Sequence, residues 1–437
     1  MVLYDLCVIG SGIAGACTFH HATKEYERVL LLEQFELMHS KGSSHGESRI
    51  IRIAYDDVHY SAMASKSLEL WSQVPHFETF YKKTGGLDIG PLTDVSINKV
   101  VQVSRERGFT HEVLQGQQLR DRFPQFSGLP DDTLAVYQPE AGMLNPNKIR
   151  SILLNNDGSA YDLEKHRIVE KERVEQLVED ETSGNFTIVT NKGNRFEAKK
   201  LAICVGAYCK KFLKKHFDLD IQFEVLRMCY YYWKIGELGL KENVYLENSP
   251  IWIMWGQDPF VQDEKLDLAY YGFPSWEKPG YIKTASHHPY KDVERGFDPD
   301  ERAALIDEGK EPLVQKEKID RTVNFLKNTT PEGYLDFNET YEEIISQKDR
   351  VVTCLYEMTP TEDFIIDYLP TKSGKKNVVM FGGGSGHGFK FGIVVGKMLL
   401  ELLNQQNNAG KFSVVDVPLN KFLLDKVLIP KQQTSDQ

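Results

Sequence analysis

Cys354, Tyr356 and Lys390 lie within one stretch, residues 353–391, that also carries Gly382, Gly383, Gly384, Gly386 and Gly388. A thiolate is a nucleophile and a lysine is an adjustable cation. Glycines let backbone approach a ligand closely. A lone thiol is more commonly a buried packing residue, so the stretch needs a second observation before it implies chemistry. That observation stands near the other end of the chain. Gly10-Ser11-Gly12-Ile13-Ala14-Gly15 follows an apolar run at residues 3–9 and opens a helical stretch to about Thr23. The next apolar run, Val29-Leu30-Leu31-Leu32, is closed by Glu33. This order is the βαβ dinucleotide fingerprint. Gly10 permits the tight turn, Gly12 lets backbone approach a pyrophosphate, and Gly15 lets helix and strand pack closely. Glu33, 23 residues past Gly10, stands where an acid accepts hydrogen bonds from a ribose.

A third stretch, residues 42–52, is rich in Gly and Ser and carries Ser44, His45, Arg49 and Arg52. A solvated loop is the simpler reading. Ile50, Ile51 and Ile53 imply instead that the neighbourhood is buried, and arginines in a buried loop need anionic partners.

The elements that must position these residues come from separated parts of the chain. Residues 201–207 and 377–381 read as further buried strands, each running into glycine. Residues 186–196 read as a hairpin over Asn191-Lys192-Gly193. With 437 residues the chain exceeds one ordinary core, so two domains are expected. Segments 1–90, 145–215 and 350–410 are assigned to a nucleotide-binding domain. Segments 91–144 and 216–349 are assigned to a substrate domain, and 411–437 to a C-terminal extension with a disordered tail. The net charge of −11 argues against nucleic acid. No apolar run approaches the roughly 18 residues of a membrane span, so no membrane association is expected. Met1 to Gly10 already read as a strand, so no signal peptide is expected and the six cysteines read as reduced thiols.

Four stretches together resemble the monomeric sarcosine oxidase and pipecolate oxidase family of covalent FAD amine oxidases. They are the fingerprint from Gly10 to Glu33, Ser44-His45-Gly46-Glu47-Ser48-Arg49-Ile50-Ile51-Arg52, Tyr270-Tyr271-Gly272-Phe273-Pro274-Ser275, and the stretch from Cys354 to Phe391. The last is the most specific, with Cys354-Leu355-Tyr356, Phe364-Ile365-Ile366-Asp367 and Ser385-Gly386-His387-Gly388-Phe389-Lys390-Phe391 in family order. The similarity covers most of the chain. Residues 288–349 and the C-terminus look longer than in bacterial members.

The resemblance implies an α/β fold. It pairs a Rossmann-type, glutathione-reductase-like FAD-binding domain with a second α+β substrate domain carrying a mixed or antiparallel sheet. It implies FAD linked through its 8α-methyl group to Cys354, with Ser44, His45, Arg49, Gly384, Gly386, Gly388 and Lys390 against the flavin. Arg52 and Lys390 match the family pair that grips a substrate carboxylate; the alternative is that each pairs with an acid of the protein. Lys283, one residue out of the family spacing after Tyr271, matches the lysine that activates oxygen; the alternative is a solvated strand lysine. His287 matches an active-site histidine, and Tyr271 and Tyr356 match aromatic residues that line the pocket. His387 is expected to shape its loop rather than transfer protons. His287-His288 is not expected to hold a metal, because neighbours in a strand point apart and no further ligand completes a set.

The implied activity is oxidation of a secondary-amine amino acid to an imine, with oxygen reduced to hydrogen peroxide. The expected partners are that amino acid and oxygen, with the protein a monomer. The alternatives are a dehydrogenase of the dimethylglycine type and a non-catalytic flavin-binding module. An NAD-dependent dehydrogenase would leave Cys354 and the late glycines unexplained. The chain ends Ser435-Asp436-Gln437 rather than in a peroxisomal tripeptide, so cytoplasm is the default expectation and the peroxisome the alternative.

Overall fold

Residues 2–154, 162, 164–246, 249–256, 270–287, 295–311, 314–347, 349–406 and 410–430 are described by a computed structural model. His288 and the tail 431–437 lie outside the described residues. Leu6–Ile9 is short, apolar and wholly buried, as a strand covered on both faces must be. It lies inside a six-stranded sheet ordered Arg167–Val169, Val29–Leu32, Leu6–Ile9, Leu201–Ile203, Val378–Gly382 and Ile365–Tyr368. Neighbours run parallel except the last pair. Cys7 pairs with Leu201, and Leu201 with Val378, so strands far apart in sequence become neighbours.

One face of this sheet is covered by helices Ile13–Glu25 and Gly392–Leu403, whose Phe19, Ile393 and Val394 share a core with Val8 and Leu31. The other face packs on a four-stranded sheet through Phe186, Ile188 and Phe196. That smaller sheet contains the expected hairpin, Phe186–Thr190 with Arg195–Ala198; Gly193, at φ +79°, supplies the left-handed residue its turn requires.

A nine-stranded sheet forms the second layer. Its order is Leu335–Asp336, Glu224–Ile235, Tyr281–Ser286, Tyr270–Phe273, Ile251–Met254, Gly86–Pro91, Thr133–Gln138 and Glu112–Gln115, and Val351–Met358 also pairs along Glu224–Ile235. The sequence division groups Gly86–Pro91 and Val351–Met358 with the nucleotide-binding segments, but both hydrogen-bond into this sheet. Strand pairing, which composition does not reveal, decides their place.

The register sets which side chains share a face. Met228 pairs with Cys354, Tyr232 and Phe273 both pair with Lys283, and Tyr271 pairs with Ala285. Period-two alternation then puts Tyr230, Tyr271, Phe273, Lys283, Cys354 and Tyr356 on one side. The opposite side, with Tyr231, Trp233, Tyr270 and Ile282, packs on helix Lys316–Thr329, where Tyr270 stacks on Phe325 at 4.0 Å. Part of the long 288–349 segment therefore covers the face turned away from Cys354.

Candidate functional site

The fingerprint glycines are obligatory in their geometry. Gly10 sits at φ +101°, and a Cβ there would stand 2.3 Å from the Cys204 carbonyl oxygen. A Cβ on Gly15 would stand 1.8 Å from the Gly10 carbonyl oxygen. Neither contact is compatible with any side chain, so helix and strand meet here only through glycine. Glu33, at the end of its strand, is buried. Its Oε2 accepts from the Ser11 N–H at 2.8 Å and the Ser11 hydroxyl at 2.9 Å; its Oε1 accepts from the Phe35 N–H at 2.9 Å. These bonds hold the carboxylate at the mouth of a cavity of about 380 Å³ lined by Gly10, Gly12, Glu33, Ser44 and Tyr208. Ser44 Oγ accepts the Ile13 N–H at 2.9 Å, which ties the basic loop to the first turn of the fingerprint helix.

A second cavity, of about 620 Å³, is lined by Arg49, Arg52, Tyr271, Lys283, His287, Cys354, Tyr356, Gly384, Gly386, Gly388 and Lys390. The structure thus gathers the expected reacting residues from five separate segments. Gly15 and His45 line neither cavity. His45 is a strut instead: its Nε2 bonds the Thr353 carbonyl at 3.0 Å, one residue before Cys354. Burial, then Arg302 and Arg49, hold its ring far below the usual histidine range, so it donates there as a neutral imidazole. The sequence expectation that loop arginines meet anions is corrected for Arg49. Its guanidinium donates to the carbonyls of Ser43, His45 and Ser48 at 2.9, 2.7 and 2.8 Å, and so fixes the loop.

Cys354 is buried, and all six cysteines are free thiols. Burial raises the Cys354 thiol above its ordinary value, while Arg49, Arg302 and Lys283 pull it down. The cationic neighbours expected from thiolate chemistry are present, but burial outweighs them. Arg302 was not singled out in the sequence. It reaches the Thr353 carbonyl at 2.7 Å and the Ser40 carbonyl at 2.9 Å from helix Pro299–Asp307.

Arg52 is 5% exposed and forms an ion pair, Nη1 to Asp88 Oδ1 at 3.1 Å. The alternative of a protein acid therefore holds for Arg52. Asp88 also accepts from Gln138 Nε2 at 2.7 Å and Trp255 Nε1 at 2.8 Å, and burial raises its carboxyl. Among the described residues Arg52 Nε has no partner. The Tyr55 ring lies 4.0 Å from the Arg52 guanidinium carbon and 5.6 Å from Lys390 Nζ, so one aromatic face gathers both cations. Lys390 Nζ donates to the His387 carbonyl at 2.9 Å, and its own carbonyl accepts Trp71 Nε1 at 2.8 Å. Burial, then Arg52, hold Lys390 well below the usual lysine range. Two cations forced together in a dry pocket favour an anion between them.

Lys283 is not a solvated strand lysine. It is 2% exposed, donates to Ser48 Oγ at 2.7 Å, and lies 3.3 Å from Glu277 Oε1. Its Nζ stands 4.1 Å from the Tyr230 ring centroid and 4.6 Å from that of Phe273. Burial lowers it to about 8, with Glu277 opposing and Arg49 adding to the fall.

The Tyr271 and Tyr356 hydroxyls are 3.4 Å apart, and the His287 ring lies 5.5 Å from that of Tyr356. Gly386, at φ +72°, fits between them: a Cβ would stand 2.4 Å from Tyr356 and 2.6 Å from His287. Asp88, Glu277 and Tyr55 escaped the sequence reading because each lies outside a recognisable motif. An isolated acid in an apolar strand, as in Leu87-Asp88-Ile89, was the one available signal.

The residues fit FAD. One cavity carries the ribose acid and the glycine cradle, and the other carries the thiol and the cations. The two share Ile13, Ser43, Ser44, Glu357 and Phe381, so a long dinucleotide can run through both. Residues 5–402 match the family model described as FAD dependent oxidoreductase. A probable sarcosine oxidase of Arabidopsis thaliana is 31% identical over 93% of this chain and 89% of its own. A monomeric sarcosine oxidase of Bacillus sp. (strain NS-129) is 28% identical over 97% and 98%. Among solved structures, NikD, described as an unusual amino acid oxidase essential for nikkomycin biosynthesis, superposes with a TM-score of 0.73 at 20% identity, over 96% of this chain and 98% of its own. The chain belongs to the FAD dependent oxidoreductase family.

Proposed function

We propose that the protein oxidises a secondary-amine amino acid of the sarcosine or pipecolate type, with oxygen as acceptor and FAD held covalently through Cys354. The observation that carries this reading is the pair of crowded, buried cations Arg52 and Lys390, set in the same cavity as Cys354 and Lys283. Bound FAD supplies the two-electron acceptor for the amine and the site at which oxygen is reduced. The substrate's carboxylate docks between Arg52 and Lys390, where it offsets the burial and the Arg52 repulsion that depress Lys390. Buried Tyr356 and half-buried Tyr271 and His287 wall the substrate; an apolar wall of this kind disfavours an ammonium and favours the neutral amine. Ser48 and Glu277 position the Lys283 ammonium, which stabilises negative charge developing on oxygen. The imine product leaves for hydrolysis by water or for cyclisation.

Similarity to a monomeric sarcosine oxidase supports a monomer, and size-exclusion chromatography tests that. The activity is tested by a peroxide-coupled screen over N-methyl and cyclic amino acids. Anaerobic bleaching of the flavin by one of them, with peroxide released in air, is the expected result. Bleaching without peroxide would point to another electron acceptor, and no bleaching by any member would remove the substrate class.

A further inference from the structure

Glu357 is a buried acid to which none of the roles above applies. It follows Tyr356, so alternation turns its side chain away from Cys354 and toward the six-stranded sheet. Its Oε1 accepts the Gly384 N–H at 3.3 Å, and the Ser385 N–H bonds its backbone carbonyl at 3.0 Å. Its Oε2 is buried and has no hydrogen-bond partner among the described residues. A Cβ on Gly384 would stand 3.0 Å from Oε1, and one on Gly206 3.3 Å from Oε2. Glycines on both sides therefore leave this carboxyl its space.

Its position is distinctive, because it is one of the five residues shared by the two cavities. A dinucleotide with its adenosine end at Glu33 and its ring end at Cys354 has to pass this junction with the polyol and diphosphate between them. The other shared polar groups are the Ser43 and Ser44 hydroxyls. Ser43 donates its hydroxyl proton to the Leu355 carbonyl, and Ser44 accepts the Ile13 amide while keeping its own proton to donate. Among these junction groups, the carboxyl of Glu357 carries the buried oxygen that has no hydrogen-bond partner among the described residues.

The surroundings decide its protonation. Val225 lies opposite it in the sheet, and the Cys204 and Cys209 thiols face it from the six-stranded-sheet side; Glu357 adds to the burial that raises both. The glycine stretch contributes the Gly384 amide, and Tyr356 on its own strand is held neutral by burial. Among the described residues no lysine, arginine or histidine acts to keep it ionised. An uncompensated carboxylate beside a diphosphate would repel it, whereas a carboxylic acid can donate to it.

We propose that Glu357 is a cofactor-binding residue that meets the polyol–diphosphate tether of FAD as a neutral carboxylic acid, donating a hydrogen bond from Oε2. This rests on the reading that one FAD runs through both cavities. Burial alone, with the Gly384 amide opposing, already pushes the group up to about 7, and a bound diphosphate would raise it further. FAD binding then takes up a proton wherever free Glu357 is ionised. Affinity is full below that value and falls as pH rises above it.

The test uses Cys354→Ser, so that covalent capture does not hide affinity, and measures the dissociation constant for FAD by quenching of flavin fluorescence from about pH 6 to about pH 9. In Cys354→Ser the constant should rise toward about tenfold per pH unit above neutrality. Adding Glu357→Gln, which keeps a neutral donor of the same shape, should flatten that dependence while preserving the affinity at low pH. Adding Glu357→Leu should weaken binding at every pH. The same slope with Glu and with Gln at this position would overturn the role of Glu357 and leave the FAD reading standing. Absence of FAD binding by both folded proteins at every pH would overturn the shared occupancy of the cavities, and this proposal with it.

Discussion

The two ends of the cavity system are made of different material. At the Gly10 end the surface is backbone, shaped by glycines that admit no side chain and by one carboxylate held on strand-end amides. At the Cys354 end the surface is side chains, and two of its cations are held by side chains from other elements, Arg52 by Asp88 and Lys283 by Ser48 and Glu277, while Lys390 is held within its own loop by the His387 carbonyl. A backbone site is built from contiguous residues and tolerates no substitution at its contacts. A side-chain site is built by strand register and can be retuned one group at a time.

The sharpest test of that contrast is Cys354→Ser. Wild-type protein precipitated in acid should stay yellow, whereas the variant should release all of its flavin. The variant should nonetheless bind FAD before precipitation, because the Gly10 end is untouched. Wild-type flavin found in the supernatant would remove the covalent link. Gly15→Ala probes the other end. Its new Cβ would stand 1.8 Å from a carbonyl oxygen, so helix Ile13–Glu25 must shift. Overpacking of this kind costs roughly 1–3 kcal/mol. Flavin content per chain should fall far below that of wild type; full loading would show that this end can be retuned after all.

Lys283→Met should slow oxygen's reaction with the reduced enzyme by about 10²–10³-fold, the scale for one electrostatic donor, and alter reduction by substrate much less. Rapid mixing of anaerobically reduced protein with oxygenated buffer separates the two halves. The sign with pH follows from charge. Lys283 titrates at about 8, so it is cationic below that value and reoxidation should decline as pH rises through it. Glu277 raises Lys283, so Glu277→Gln should move the decline to lower pH. A decline at the same pH in Glu277→Gln would remove Glu277 as the group that sets this charge.

Arg52→Ala should weaken substrate binding by about 1.5–3 kcal/mol, the worth of a hydrogen bond to a charged group. That is roughly a tenfold to hundredfold rise in KM. It also leaves the buried Asp88 without its counter-ion, so the urea midpoint should fall, and Arg52→Ala with Asp88→Asn should recover part of it. Asp88→Asn by itself should act in the opposite direction on anions: with its competitor gone, Arg52 should bind a carboxylate inhibitor more tightly. Unchanged inhibitor affinity would mean that Asp88 does not compete for the guanidinium.

The same contrast explains what could be read from the amino-acid order. Strand, glycines and Glu33 fall within one short segment, so that part of the cavity was legible, whereas Arg150 and Tyr208 on its other walls were not. Cys354, Lys283, Tyr271 and Arg52 were legible only through a family resemblance, since nothing local says that they share a cavity. Asp88, Glu277 and Arg302 were not legible, because their meaning lies in the partner each one meets. Val351–Met358 was misassigned to the nucleotide-binding segments for the same reason: its partner strand, Glu224–Ile235, is remote in sequence. His45 was expected beside the flavin; its Nε2 bonds the Thr353 carbonyl, one residue before Cys354, a contact that spacing could not reveal.

His387 belongs to both kinds of site, a side chain set among glycines, and it should show the smallest effect. Its ring stacks on Phe364 at 4.8 Å and meets Tyr60 at 5.1 Å and Phe391 at 5.9 Å. Burial, then Lys390, hold it far below the usual histidine range, so it is neutral wherever the enzyme works. A neutral ring packed among aromatic neighbours supports the loop that carries Lys390 and is expected to move no proton. His387→Phe keeps a flat ring, so the loss should stay within about 0.5–1.5 kcal/mol, the worth of one aromatic contact. The pH profile of kcat/KM should keep both limbs, with only KM drifting as Lys390 shifts. Loss of one limb would make His387 a proton carrier. The glycine stretch would then do chemistry through its side chains as well as through its backbone.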